Sequence, residues 1–276
     1  NPTYKLTDTA GRHFVLRAKP PGTLLKSAHA VDREFRVMTA LATTAVPVPQ
    51  MLHLSGEDSP LGAQFLVMEH LEGRVFWDPA LPEQSPKFRQ DAYHALVRTL
   101  AALHDVDPQA VGLADFGKPG NYFSRQVSRW TGQYRACETQ SRPDMDWTID
   151  WLDRNMVQDD GQIAIVHGDY RLDNVMFDAK TPDMIAVLDW ELSTLGHPFA
   201  DLAYQCMGLR LPQDGMITGL KGIDRTAQGL PEEADYVAQY CALRGIAPPE
   251  NWAFYMVFSF FRLAAILEGV LHRAQS

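Results

Sequence analysis

The chain has 276 residues, of which 46% are hydrophobic and 21% charged, enough apolar material for a proper core and too little charge for a disordered chain. Twenty-five Lys and Arg against 34 Asp and Glu leave a formal net charge of −9, the wrong sign for a protein that neutralises a nucleic-acid backbone or an anionic membrane. Cys137, Cys206 and Cys241 are odd in number and far apart, without disulfide or metal-ligand spacing, so a reducing, cytoplasmic setting is expected.

Residues 1–8 read as a strand rather than a signal or transit peptide, although the chain opens on Asn1. A second strand is expected over 13–19, joined to the first through Asp8-Thr9-Ala10-Gly11, whose Asp and Gly adopt turn conformations readily. Val31, Phe35, Met38 and Leu41 recur at helical spacing within 28–42, and Pro47 and Pro49 end the pattern. An apolar strand over 64–73 then runs into Gly73. Beyond it the chain turns helical: 86–105 opens with Ser85-Pro86 as cap and first turn, and 122–138, 145–157, 198–210, 231–244 and 250–273 follow. Short β runs at 162–167, 174–178 and 184–190 interrupt them. Trp252 to Leu271 is apolar enough for a membrane, but Arg262 near its middle costs about 2.5–3.5 kcal/mol there, so a buried core helix is expected.

The chemistry concentrates in two stretches, IVHGDYRLDNVMF (165–177) and IAVLDWELS (185–193). They supply His167-x-Asp169, Asn174 five residues after Asp169, and Asp189 at the end of an apolar strand. Phosphoryl transfer needs a carboxylate to orient the attacking hydroxyl and hard oxygen ligands for Mg²⁺, which keeps most of its shell as water and phosphate oxygen. Asp169, Asn174 and Asp189 can supply these, in the order D-x-x-x-x-N followed by a later Asp. Arg171 stands where a cation can offset the charge of a migrating phosphoryl group.

HGDYRLDN (167–174), LDWE (188–191) and GHPFADLA (196–203) resemble the aminoglycoside phosphotransferase and choline kinase family, and within it the branch associated with acyl-CoA dehydrogenases. The resemblance implies an α+β, two-lobed protein-kinase-like fold that binds ATP and Mg²⁺. The small β-rich lobe is expected over 1–68, the hinge over 69–73 and the larger, mainly helical lobe over 74–276. It implies Asp169 and Arg171 as catalytic groups and Asn174 and Asp189 as metal ligands. Val15, Met68, Glu69 and Leu71 would hold adenine. Arg17, where the family often has Lys, would pair with the phosphates, with Lys19 able to share the task, and Glu34 would pair with that cation. His167 and Asp201 would brace the catalytic loop, and Glu191 is open between a second Mg²⁺ ligand and a cap. The family's Gly-rich phosphate loop is expected upstream of Asn1.

The short segment between Asp189 and Asp201, without A-P-E, argues against a peptide-phosphorylating kinase. The acceptor implied is a small molecule, either a hydroxyacyl-CoA or an aminoglycoside or amino alcohol, with a functional link to an acyl-CoA dehydrogenase. A nucleotide-binding pseudokinase or regulatory module without turnover is the alternative, and the lack of a G-x-S-x-G turn counts against a hydrolase. Arg125 and Arg129 share a helical face that is either solvated or directed to an anionic group such as a coenzyme A phosphate.

Overall fold

The structure is a computed structural model and describes residues 1–20, 30–56 and 58–275. Strands β1 (Thr3–Thr7) and β2 (His13–Ala18) form the expected hairpin. Asp8 Oδ1 accepts the amides of Ala10 and Arg12, both at 2.9 Å, and Gly11 takes φ +81°, a left-handed turn that glycine adopts without steric cost. Helix α1 (Val31–Leu41) follows; the first residues of the expected helix lie outside the described ones. Its buried stripe is Val31, Glu34, Val37, Met38 and Leu41, helical spacing with one carboxylate in an otherwise apolar row. Strands β3 (Met51–Leu54) and β4 (Phe65–Glu69) complete an antiparallel sheet in the order β1-β2-β4-β3. The 51–54 strand was not expected. It is four residues long and only half-buried, and its pairing with β4, not its own alternation, makes it a strand.

The expected strand over 64–73 stops at Glu69. Gly73 and Arg74 form β5 in a different sheet, pairing with β7 (Val175–Asp178), which pairs in turn with β8 (Met184–Val187). A Cβ on Gly73 would sit 2.5 Å from the Phe177 carbonyl oxygen, so glycine is required where the chain crosses from one sheet to the other. Strand β6 (Ala164–Val166) pairs with an unexpected three-residue strand, β9 (Thr194–Gly196).

The remainder is helical: α2 (Pro86–His104), α3 (Tyr122–Cys137), α4 (Pro143–Arg154), α5 (Phe199–Met207), the short α6 (Arg225–Gln228), α7 (Glu233–Arg244) and α8 (Trp252–Gln275). Helix α2 begins as expected, with Ser85 Oγ accepting the Phe88 amide at 3.2 Å and Pro86 in the first turn. Among the described residues α8 is the one helix long and apolar enough to cross a membrane, yet it packs against α3, α4 and α5 inside the protein. Phe123 of α3 meets the rings of Phe254, Tyr255 and Phe258 of α8 at 5.1–5.4 Å. The buried Glu268 of the same helix accepts hydrogen bonds from the Thr139 amide at 2.8 Å and from Arg142 Nε at 3.2 Å. The architecture is α+β, a small sheet with one helix set against a larger, mainly helical part.

Candidate active site

Residues 167–174 leave β6 as an irregular loop and run through a 3₁₀ turn (Leu172–Asn174) into β7. The loop is held from outside itself. Asp201, one turn into α5 and almost completely buried, accepts the amides of His167 at 2.6 Å and Gly168 at 2.9 Å and faces His104 Nε2 at 3.3 Å. Burial works against its charge, but hydrogen bonding from His104, the nearby histidines and the Gly168 amide outweigh that, and its carboxyl lies below the usual range. His167 is fully buried, with Nε2 2.8 Å from the Leu188 carbonyl and Nδ1 accepting the Asp169 amide at 3.2 Å. Both ring nitrogens are engaged, one by the residue before Asp189 and the other by Asp169 itself. Gly168 has φ +84°, and a Cβ there would lie 2.7 Å from the Leu192 carbonyl oxygen.

Asp169 and Asn174 meet directly. Asn174 Nδ2 donates to Asp169 Oδ2 at 2.8 Å and to its carbonyl at 2.9 Å, which commits the amide nitrogen and leaves the amide oxygen as the group available to a cation. The β7–β8 pairing sets Val175 opposite Val187, and the Leu188 amide donates to the Asn174 carbonyl at 2.8 Å, so Asp189 arrives one residue away. Asp189 has φ +62°, a conformation that costs a non-glycine residue on the order of 1 kcal/mol. This break in strand geometry turns its carboxylate to Arg17. Arg171 Nε lies 3.4 Å from Asp169 Oδ1, and Arg171 Nη2 donates to Asp173 at 2.8 Å.

Arg17 is the junction between the two parts of the molecule. Its Nε is 3.0 Å from Glu34 Oε2, its Nη2 is bonded to Asp189, and Glu191 Oε2 is 3.8 Å away. Burial in α1, only partly offset by Arg17, pushes Glu34 up to about 7. Beside this cluster lies a cavity of about 240 Å³. Val15, Arg17, Glu34, Met68, Glu69, Leu71 and Asp189 all line it. Met38, Met176, Leu188 and His70 line it too and were not singled out from the sequence; Met176 and Leu188 sit two residues after Asn174 and one before Asp189, which is the signal that could have found them. Lys19 is not among the lining residues. Glu69 also accepts the Gln50 amide at 2.7 Å, tying the end of β4 to the chain entering β3.

A second cavity, of about 330 Å³, opens on the far side of the loop. Arg171, Asp173 and Tyr204 stand in its wall with Met207, Leu211 and Leu263, and Trp77 and Met216 line it while 78% and 86% exposed. Its ionised groups, Arg171 and Asp173, pair with each other. Arg125 and Arg129 line neither cavity: Arg125 donates to the Lys118 and Pro119 carbonyls, and Arg129 lies 5.6 Å from the Trp130 ring.

The sequence pattern of the phosphotransferase enzyme family matches residues 1–248. The chain belongs to that family. Its relatives include acyl-CoA dehydrogenase family member 10 of Mus musculus, 48% identical over 275 residues, and member 11 of Rattus norvegicus, 44% identical over 274 residues. Each alignment takes in 99% of this chain, which spans 26% and 35% of those two relatives. Among solved structures, a family protein of Ralstonia eutropha, assigned only provisionally as an aminoglycoside phosphotransferase, superposes with a TM-score of 0.90 at 48% identity, covering 99% of this chain and 80% of that one. An aminoglycoside phosphotransferase of Streptomyces rimosus, solved with ADP and streptomycin, has a TM-score of 0.62 at 18% identity, covering 93% and 89%, and shares the fold. The two parts of this phosphotransferase-family chain are thus the two lobes of the protein-kinase-like fold.

Mg²⁺ fits the residues present. The Asn174 amide oxygen and the Asp189 carboxylate are two hard donors on adjoining strand ends, the small protein share that Mg²⁺ takes beside phosphate and water.

Proposed function

We propose that the protein transfers the γ-phosphoryl group of ATP to the hydroxyl of a small acceptor, a hydroxyacyl-CoA. The observation that carries this reading is that Asp169, which lines neither cavity, touches Asn174, two residues before Met176 in the wall of the first, and Arg171 in the wall of the second. Adenine occupies the first beside the 69–73 hinge that joins lobes 1–68 and 74–276, and the acceptor occupies the second. Asp169 orients the acceptor hydroxyl, whose oxygen attacks the γ-phosphorus as the bond to the β-phosphate oxygen breaks. The hydroxyl proton passes to Asp169 and ADP leaves. Arg171 and Arg17 offset phosphate charge, Glu34 holds Arg17, and His167 and Asp201 keep the loop in place. Mg²⁺, held through Asn174 and Asp189, supplies charge neutralisation at the phosphates, and Glu191 stays within reach of the same cluster.

The acceptor wall favours the thioester over a polycation. An aminoglycoside calls for unpaired carboxylates, whereas this wall offers one, Asp173, already committed to Arg171, among Met207, Leu211, Leu263 and Trp77. The names of the relatives point to the same acyl chemistry. Cys137, Cys206 and Cys241 are free thiols, which suits action in the reducing cytoplasm.

Labelled ATP with Mg²⁺ and a panel of hydroxyacyl-CoA thioesters, amino alcohols and aminoglycosides tests this. Label is expected in a thioester. Label confined to an aminoglycoside overturns the acceptor, and neither transfer nor phosphate release overturns the kinase reading in favour of a nucleotide-binding module.

A further inference from the structure

Arg262 stands in the apolar helix α8, 5% exposed, and among the described residues no carboxylate lies within ion-pairing distance of it. A buried guanidinium without a counter-ion is costly, and packing alone would be served better by an aliphatic side chain of similar volume. What surrounds it is specific. Its Nη2 donates to the carbonyl oxygen of Gly168, the residue before Asp169. Its guanidinium lies 4.8 Å from the ring centre of Tyr204 on α5 and 5.4 Å from that of Trp130 on α3.

We propose that Arg262 is a positioning residue for Asp169: it pins the Gly168–Asp169 peptide from the carbonyl side while its guanidinium is steadied by the rings of Tyr204 and Trp130. Asp201 holds the two preceding peptides by their amides, at His167 and Gly168, and the Asp169 amide rests on the ring of His167 within the loop itself. Asp201 and Arg262 thus grip opposite polar edges of one loop whose Gly168 has a left-handed backbone. Neither grip replaces the other, since amides anchored at 167 and 168 leave the next peptide's carbonyl free to tilt and carry Asp169 with it. A displacement of about 1 Å at a reacting group can cost on the order of 10²-fold in rate. This role rests on the reading of Asp169 as the group that orients the acceptor.

The test compares Arg262→Met, Arg262→Lys and a matched lesion of the same helix away from the loop, Phe258→Leu, which faces Phe123. Two readouts are taken in each: amide hydrogen exchange of the peptide covering 165–172, and turnover of Mg²⁺-ATP by phosphate release with water as acceptor and by transfer to a hydroxyacyl-CoA thioester. Arg262→Met is expected to raise loop exchange at least ~10-fold and lower kcat ~10–10²-fold with nucleotide KM unchanged. Arg262→Lys, which keeps a donor and loses the planar face, should recover part of both, and Phe258→Leu should move neither. Unchanged exchange or unchanged kcat in Arg262→Met overturns the proposal; if that variant does not fold, wild-type values for both in Arg262→Lys overturn it. Asp169→Asn in the same assay separates the two readings: full activity there sinks the role of Asp169, whereas loss there with full activity in Arg262→Met sinks only that of Arg262.

Discussion

Arg17 is shared by three carboxylates from three segments of chain, Glu34, Asp189 and Glu191, and this sharing sets the pH response. Glu34 must be ionised to hold the guanidinium, yet burial keeps its proton on up to about pH 7. Nucleotide affinity should therefore rise as pH increases through 7, and Glu34→Gln should flatten that profile, as fluorescence titration with ATP from pH 6 to 8.5 would measure. Stability runs the other way. Between 4.5, the ordinary value, and about 7 the folded chain holds a proton that the unfolded chain releases, so the stability from this group is full below pH 4.5 and is lost as pH rises through 7. At Asp189 the expectation is metal-specific: Asp189→Ala should weaken Mg²⁺-ATP binding at least ~10-fold, about 1.4 kcal/mol, and leave metal-free ATP binding no weaker, as calorimetry with and without Mg²⁺ would read. Asp169→Asn should keep the nucleotide affinity and the fold while lowering turnover at least ~10²-fold, the low end for losing a general base, in the labelled-ATP assay.

The loop from 167 to 174 is an element without regular structure, and its shape is imposed by its neighbours. Gly168 is the position at which that imposition is most direct, because φ +84° and the Leu192 carbonyl at 2.7 Å exclude a side chain on two independent grounds. Gly168→Ala should cost about 1–3 kcal/mol in thermal unfolding and lower turnover, since only a shift of backbone on one side or the other relieves the clash. The spacing of His167, Asp169 and Asn174 was legible in the sequence because residues two to seven apart along one loop stay close to one another. Strands β3 and β9 were not. Four and three residues are too few for alternation to register, and each becomes a strand only through its partner, β4 or β6. For the same reason the expected strand over 64–73 divides: Gly73 pairs with Asp178 in another sheet, a long-range choice that its local composition does not contain.

On the scale of the whole molecule, the lobes meet where their functional groups meet. Besides Arg17, the Val187 amide donates to the Pro47 carbonyl at 2.8 Å, and Arg33 of α1 donates to the carbonyls of Phe116 at 2.7 Å and Ser193 at 3.2 Å while lying 4.1 Å from the Phe116 ring centre. The cavity lined by Arg17 and Met68 is thereby fixed against the loop that carries Asp169, and the second cavity shares no lining residue with it. Changes in one should leave the affinity of the other intact. Trp77, 78% exposed at the rim of the second, tests this: Trp77→Ala should raise the acceptor KM on the order of 10-fold, the scale of one lost apolar contact, with the ATP KM unchanged, in steady-state kinetics varying each substrate.

What the amino-acid order determined alone was the chemistry on offer: a carboxylate, an amide and a second carboxylate at set intervals, and a cation on an N-terminal strand. These follow from local periodicity and spacing, which backbone geometry converts to proximity over short distances. Tertiary structure alone decided who holds them. Asp201, expected at the loop only from the family resemblance, and Arg262 reach Gly168 from 33 and 94 residues away, and Trp77 and Met216 come to one cavity from distant segments of the larger lobe. Such contacts depend on how helices pack against one another, and no interval along the chain encodes that packing.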